Sequence, residues 1–147
     1  MGRDASFFHY QERVLGWLGA WGAASVGAGL PLLLSSRTPL RHAGIQALAW
    51  GAIDALLAWA GRRGARRKIA AGAANAEREA RRFRLILLIN AGLDVGYVAG
   101  ALSLIARARG RPERLGMGWG ILPQGLFLLC YDTLLAWRTG RWLSGHR

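Results

Sequence analysis

The chain has 147 residues, 52% of them hydrophobic, and carries 20 Lys+Arg against 8 Asp+Glu for a net charge of +12. That length holds one domain and not two ordinary ones. A single cysteine, Cys130, excludes an internal disulfide, a cysteine-built zinc site and a CxxC redox pair, and the three histidines (His9, His42, His146) stand outside the apolar runs, which excludes a bis-His haem inside a bundle. So basic a chain would suit nucleic acid if its cations were spread over a soluble surface. Here they flank long uncharged runs, and nucleic acid is not the expected partner.

The first run, Val14 to Leu34, belongs to a stretch without any charge between Arg13 and Arg37. It is longer than the h-region of a signal peptide and no excess of cations precedes it, so it reads as a retained span. The second run, Ala43 to Gly61, carries only Asp54; the third, Leu85 to Ala106, only Asp94; the fourth, Leu115 to Trp137, only Asp132. Each is close to the roughly 20 residues that cross a hydrocarbon core. None shows the polar stripe of a soluble amphipathic helix. The expected fold is all-α: a four-transmembrane-helix bundle filling the chain as a single membrane domain.

Residues 62–84 connect the second and third spans with nine cations, Arg62, Arg63, Arg66, Arg67, Lys68, Arg78, Arg81, Arg82 and Arg84, against Glu77 and Glu79. Arg138, Arg141 and Arg147 follow the fourth span. The positive-inside rule puts this connection and both termini in the cytoplasm. A multi-pass protein of the bacterial inner membrane is expected, with anionic headgroups of the bilayer as partners of the basic face. The Ala- and Arg-rich connection extends the third helix beyond the membrane. Trp59, Trp137 and Trp142 are expected in a cytoplasmic interfacial belt with Trp119 in the outer one, and Phe7, Phe8 and Tyr10 on the cytoplasmic membrane face.

The second and fourth spans share a pattern. Gln46-x7-Asp54-x-Leu-Leu-Ala-Trp59 matches Gln124-x7-Asp132-x-Leu-Leu-Ala-Trp137. The first and third match more weakly, with Arg13 on Arg82, Ser25 on Asp94 and Val26-Gly27 on Val95-Gly96. A tandem duplicated two-helix unit follows, and an even number of spans per copy implies a pseudo-twofold axis along the membrane normal. The segments NAGLDVGYVAG (residues 90–100) and GMGWGILPQGLFLLCYDTLLAW (residues 116–137) resemble an uncharacterised bacterial family of small four-helix integral membrane proteins, a domain of unknown function. The resemblance covers most of the chain from about Val14 to Trp137. It implies a four-helix membrane fold and supplies no activity or catalytic residue.

Three aspartates inside apolar spans are costly, about 2.5–3.5 kcal/mol each near the bilayer centre, and such residues face a bundle interior, a partner or water. At 1.5 Å per residue, Asp132 and Asn90 lie roughly 9 Å, Asp54 roughly 12 Å and Asp94 roughly 15 Å from the nearest cytoplasmic arginine along each helix. They therefore occupy one slab. Asn90, Asp94 and Tyr97 share one face of the third span, while Gly92, Gly96 and Gly100 form a small-residue row on another. That gives the third helix two interfaces and a central place in the bundle or in an oligomer. Gly19, Ala23 and Gly27 give the first span a similar row.

The candidate buried polar site comprises Asp94, Asp54 and Asp132, with Asn90, Tyr97, Gln46 and Gln124 as supporting hydrogen bonders. One reading is a small transporter or a proton- or ion-conducting protein, in which clustered carboxylates hold a proton or a cation. The other is a non-catalytic membrane scaffold or partner-binding subunit, in which the same groups fix helix register or pair with arginines one to two turns below. The first requires water to reach Asp94, and the second a closed interior. Catalytic motifs such as HExxH, GxSxG and phosphate loops do not occur, so no enzyme and no cofactor is expected, and no spacing names a metal. A homo-oligomer or a partner membrane protein is the expected assembly.

Overall fold

The computed structural model describes residues 3–145; Arg147 of the basic tail and His146 lie outside them. Four long helices follow one another: α1 (Arg3–Leu33), α2 (Thr38–Ala70), α3 (Ala76–Ala106) and α4 (Pro112–Ser144). The fold is all-α. At 1.5 Å per residue each helix is roughly 46–50 Å long, well beyond the roughly 30 Å of a hydrocarbon core. The apolar runs are thus parts of longer helices, and the basic connection is itself helical except at residues 71–75.

Three helices, α2, α3 and α4, are long and apolar enough to cross a membrane. The expected fourth, α1, falls short in hydropathy, although its run is free of charge. The reason is compositional: Gly16, Gly19, Gly22, Gly27 and Gly29, with Trp17 and Trp21, take positions that Leu or Ile hold in the other helices.

Those glycines bring α1 and α2 together. A Cβ on Gly22 would lie 2.7 Å from the Gly51 carbonyl oxygen, and one on Gly29 would lie 2.9 Å from that of Gly44. Both pairs keep the same antiparallel register, seven residues apart on each helix, so the backbones touch at two points two turns apart. The expected row of Gly19, Ala23 and Gly27 packs only at its first member: a Cβ on Gly19 would lie 3.3 Å from the Ala58 Cβ, whereas one on Gly27 would meet nothing within 4 Å. The α3 row also faces outward, with open space over Gly92, Gly96 and Gly100. Apart from Gly19, neither row packs inside this chain; the buried polar groups stand on other faces of the helices.

The helices stand in the order α1, α2, α4, α3 around the bundle; α1 packs along α2, α3 along α4, and the two hairpins meet chiefly through α2 and α4. Of the two central places the sequence allowed the third helix, in the bundle or in an oligomer, the first does not hold: α2 and α4 join the hairpins, and α3 stands at one side. Large side chains cross the diagonals. Trp21 of α1 stacks on Phe127 of α4 at 4.0 Å between ring centroids, and Tyr131 of α4 donates a 2.8 Å hydrogen bond to the Val14 carbonyl.

The apolar core lies at the end where the chain begins. Phe7, Phe8, Ala73, Ala76, Ala80 and Phe83 are buried together, with Leu87, Leu135 and Ala136 beside them. This overturns the expectation for Phe7 and Phe8, which enter the core instead of lying on a membrane face. Trp142 follows them, 5.1 Å from Phe7 between ring centroids, and leaves the expected interfacial belt, while Trp59, Trp137 and Trp119 are exposed. The α2–α3 turn closes this core. Gly72 adopts φ +90°, its N–H reaches the Ile69 carbonyl, and the Ala73 N–H reaches Lys68, which satisfies the last carbonyls of α2 and drops Ala73 into the core. Across the surface of the same end, Glu12 accepts a 2.6 Å bond from Arg66 Nε, and this contact holds the Glu12 carboxyl below the usual carboxylate range.

Phe8→Ala should destabilise the fold by about 3–5 kcal/mol, the usual cost of removing a fully buried ring. Chemical unfolding of the detergent-solubilised protein measures it; a change within error would show that this end contributes no stability.

Candidate functional site

Four polar side chains occupy the interior of the long apolar helices: Asp54 is 2% exposed, Asp94 3%, Gln124 4% and Asp132 5%. Their surroundings invert those of a soluble protein. Leu56, Leu57, Leu85, Ile86, Leu93 and Val95 point outward at the same level. A carboxyl inside such a shell must find its partners within the protein.

Gln124 joins three helices. Its amide nitrogen donates to Asp54 Oδ2 of α2, and its carbonyl oxygen accepts a 2.8 Å bond from Trp21 Nε1 of α1. Ser25 Oγ of α1 approaches the same oxygen at 3.4 Å. The two ends of one amide thus tie α1 and α2 to α4, and exchanging the ends would place like against like. Two turns further along α4, the Asp132 carboxyl lies close to Asp94 and Asn90 of α3. Asp94 Oδ2 is buried and receives no N–H or O–H donor among the described residues. Two carboxyls in contact can hydrogen-bond only when one carries the proton. Asp54 is close enough to feel the charges of both. All four helices therefore contribute to one polar network, with α4 as its hub.

Five of the seven expected site residues meet here: Asp54, Asp94, Asp132, Asn90 and Gln124. Tyr97 does not. It is 38% exposed, its ring packs edge-on against Trp50 at 4.9 Å, and its hydroxyl makes no hydrogen bond among the described residues. Three residues beyond Asp94, it is turned too far round α3 to follow it inward. Gln46 stands two turns from Asp54, half-buried beside Gly120 of α4, and makes no hydrogen bond either. The two glutamines that match in sequence thus differ in place, since only Gln124 has a donor from α1 opposite it. Neither Asp54 nor Asp132 pairs with an arginine among the described residues; Arg62 and Arg66 turn to Glu12 instead. Trp21 and Ser25 join the network although they were not among the expected site residues. Their signal was the repeat, which sets Trp21 and Ser25 of α1 against Asn90 and Asp94 of α3.

The space that adjoins the network, about 150 Å³ between Trp50, Tyr97, Gln124 and Leu128, has no volume that a water-sized sphere can enter. Among the described residues, no three His, Cys, Asp or Glu side chains are placed to hold a metal ion together.

A family of unknown function, DUF6992, matches residues 17–133. The chain belongs to that family. The match contains Trp21, Ser25, Asp54, Asn90, Asp94, Gln124 and Asp132, so the whole network lies inside the family domain, while Phe7, Phe8 and Trp142 of the apolar core lie outside it. No curated protein and no solved structure matches the chain.

The double-mutant cycle Trp21→Phe with Gln124→Leu should give a coupling of about 1 kcal/mol, within the range of hydrogen bonds inside membrane proteins. Gln124→Leu alone should cost about 1–3 kcal/mol, because Asp54 loses its donor. Zero coupling in unfolding experiments would remove Gln124 from its place as the joint between α1 and α4.

Proposed function

We propose that this protein is a non-catalytic, four-span integral membrane scaffold whose buried polar network sets the register of its helices and whose outer face binds partner helices. The observation that carries the reading is the burial of the network: the carboxyls are at most 5% exposed, the space beside them admits no water-sized sphere, and Asp54 takes its donor from Gln124 within the bundle. A polar group in lipid has no alternative donor, so a network of this kind selects one arrangement of otherwise similar apolar helices.

The charge-free run of α1 supports its place as a fourth span beside α2, and the arginine-rich ends support cytoplasmic termini in a bacterial inner membrane. Support for a duplicated two-helix unit comes from two matching contacts: the Arg63 guanidinium lies 5.6 Å from the Trp59 ring centroid, and that of Arg141 lies 5.0 Å from Trp137. Both pairs sit at the cytoplasmic end of the shared Asp-x-Leu-Leu-Ala-Trp pattern.

A second reading, proton conduction through the carboxyls, draws on one observation, the nearness of Asp94 to Asp132 in the buried interior, where two carboxyls so placed would share one proton. Asp94→Asn separates the two. An amide can donate where the shared proton did, so the scaffold reading expects Asp94→Asn to keep the wild-type fold and assembly while Asp94→Ala loses stability by about 1–3 kcal/mol. It also expects vesicles holding the wild type to dissipate an imposed pH gradient no faster than empty ones. Proton flux in the wild type that Asp94→Asn abolishes would overturn scaffolding and establish conduction.

The open row of Gly92, Gly96 and Gly100 is the face we assign to a second copy, because small residues at this spacing let two helix backbones approach closely in lipid. Gly96→Cys in a Cys130→Ser background should form a disulfide-linked dimer in membranes on mild oxidation, and Val95→Cys much less. Equal cross-linking at both positions would exclude this face as the interface.

A further inference from the structure

A groove of about 850 Å³ runs along the seam between α1 and α2, apart from the polar network. One half of its wall is apolar and small: Gly16 and Gly19 of α1 face Ala55 and Ala58 of α2. A Cβ on Gly16 would meet nothing nearer than Arg62 Cζ at 4.0 Å. The other half is lined by Arg62, Arg63, Arg66 and Arg67. These positions recur at three- and four-residue steps along α2 and so share one face with Ala55, Ala58 and Trp59. The change from alanine to arginine falls at the end of the apolar run, where a bilayer's hydrocarbon gives way to its headgroups.

The arginines are not spent on one another's neighbours. Arg62 and Arg66 share the single carboxylate of Glu12, at 3.8 and 2.6 Å, and Arg63 lies over Trp59. Arg67 makes no ion pair among the described residues. Arg62 Nε is buried beside the groove and has no acceptor. Four guanidiniums thus line the groove with one carboxylate, that of Glu12, on two of them, and an N–H is left over. At the matching end of the α3/α4 seam Arg81 and Arg84 stand beside Leu85 and Leu88, whose bulk fills the floor, and the cavity there is only about 290 Å³. The open floor of the α1/α2 groove comes chiefly from Gly16.

A ligand complementary to both halves has an anionic, oxygen-rich head and an apolar chain. Guanidinium groups suit phosphate because their paired N–H donors match its oxygens. Ala55 is seven residues from Arg62, so the apolar half runs roughly 10 Å beyond the arginines, the reach of a good part of one acyl chain. We propose that this groove binds one anionic phospholipid, its phosphate among Arg62, Arg63, Arg66 and Arg67 and one acyl chain over Gly16 and Gly19. A free phosphate would use the arginines alone and leave the apolar floor unused. The assignment rests on reading the chain as a membrane protein.

The test is native mass spectrometry of the full chain released from detergent with equimolar phosphatidylglycerol, phosphatidylethanolamine and phosphatidylcholine. One phosphatidylglycerol should be retained over either zwitterionic lipid by at least about tenfold. Arg63→Gln/Arg67→Gln, which leaves both Glu12 contacts intact, should abolish the preference. Gly16→Leu should abolish it too, by filling the floor without changing charge, and Arg107→Gln/Arg111→Gln at the other end should not. No preference in the wild type, wild-type retention by Gly16→Leu, or displacement of the lipid by millimolar inorganic phosphate would each overturn the groove as a lipid site. Alkaline extraction of membranes containing the chain separates the two levels. Release into the wash defeats the membrane reading itself, and retention without lipid preference defeats the groove alone.

Discussion

One amide organises the interior. Gln124 has a donor end and an acceptor end, and the bundle supplies a carboxylate for the first and an indole N–H for the second. Because the three partners come from different helices, satisfying them fixes how α1, α2 and α4 stand relative to one another. Apolar contacts among Leu and Ala side chains discriminate poorly between rotations of a helix. A hydrogen bond among buried groups discriminates sharply, since the wrong rotation leaves a polar atom with no partner. The Asp94–Asp132 contact does the same for α3. The glycine contacts of Gly22 with Gly51 and Gly29 with Gly44 then set how closely α1 and α2 approach, once their rotation is settled.

The molecule is built on two different principles along its length. Near the chain's beginning, Phe7, Phe8, Phe83 and Trp142 form an aromatic core like that of a soluble helical protein, surrounded by Glu12–Arg66 and Lys68–Glu79 ion pairs. Further along, the large apolar residues turn outward and the polar ones inward. Helices of 31–33 residues accommodate both regimes. This division also bears on the proposed lipid groove, which straddles the change. Its glycine and alanine floor belongs to the apolar stretch and its arginines to the basic end.

The composition of α1 sets it apart from the other three. It contributes no carboxylate to the network, only the Trp21 and Ser25 donors, and it gives up hydropathy for close approach to α2. Its partner in the proposed duplication, α3, carries Asn90 and Asp94 instead. If the two halves share an origin, one kept polar groups that need partners and the other groups that supply them. Tyr97 and Gln46 mark the limits of reasoning by pattern, because each has the right chemistry and the wrong direction.

Much of this was legible in the amino-acid order. The helical class follows from four long apolar runs, and the candidate carboxylates follow from the cost of placing an Asp in such a run. Membership of a family without known activity was legible in the third and fourth runs. Helix length was not, because an amphipathic extension such as residues 3–13 looks like a loop when only the apolar run is sought. Direction was not legible either. Whether Gly92 or Gly22 meets a neighbour depends on helix rotation, which is decided by partners distant in the chain: Gln124 on Trp21, Asp132 on Asp94. By itself the sequence determined which groups had to be buried and satisfied, since that depends on local polarity. Only the tertiary structure decided with whom, since a hydrogen bond across 103 residues depends on where four helices come to rest.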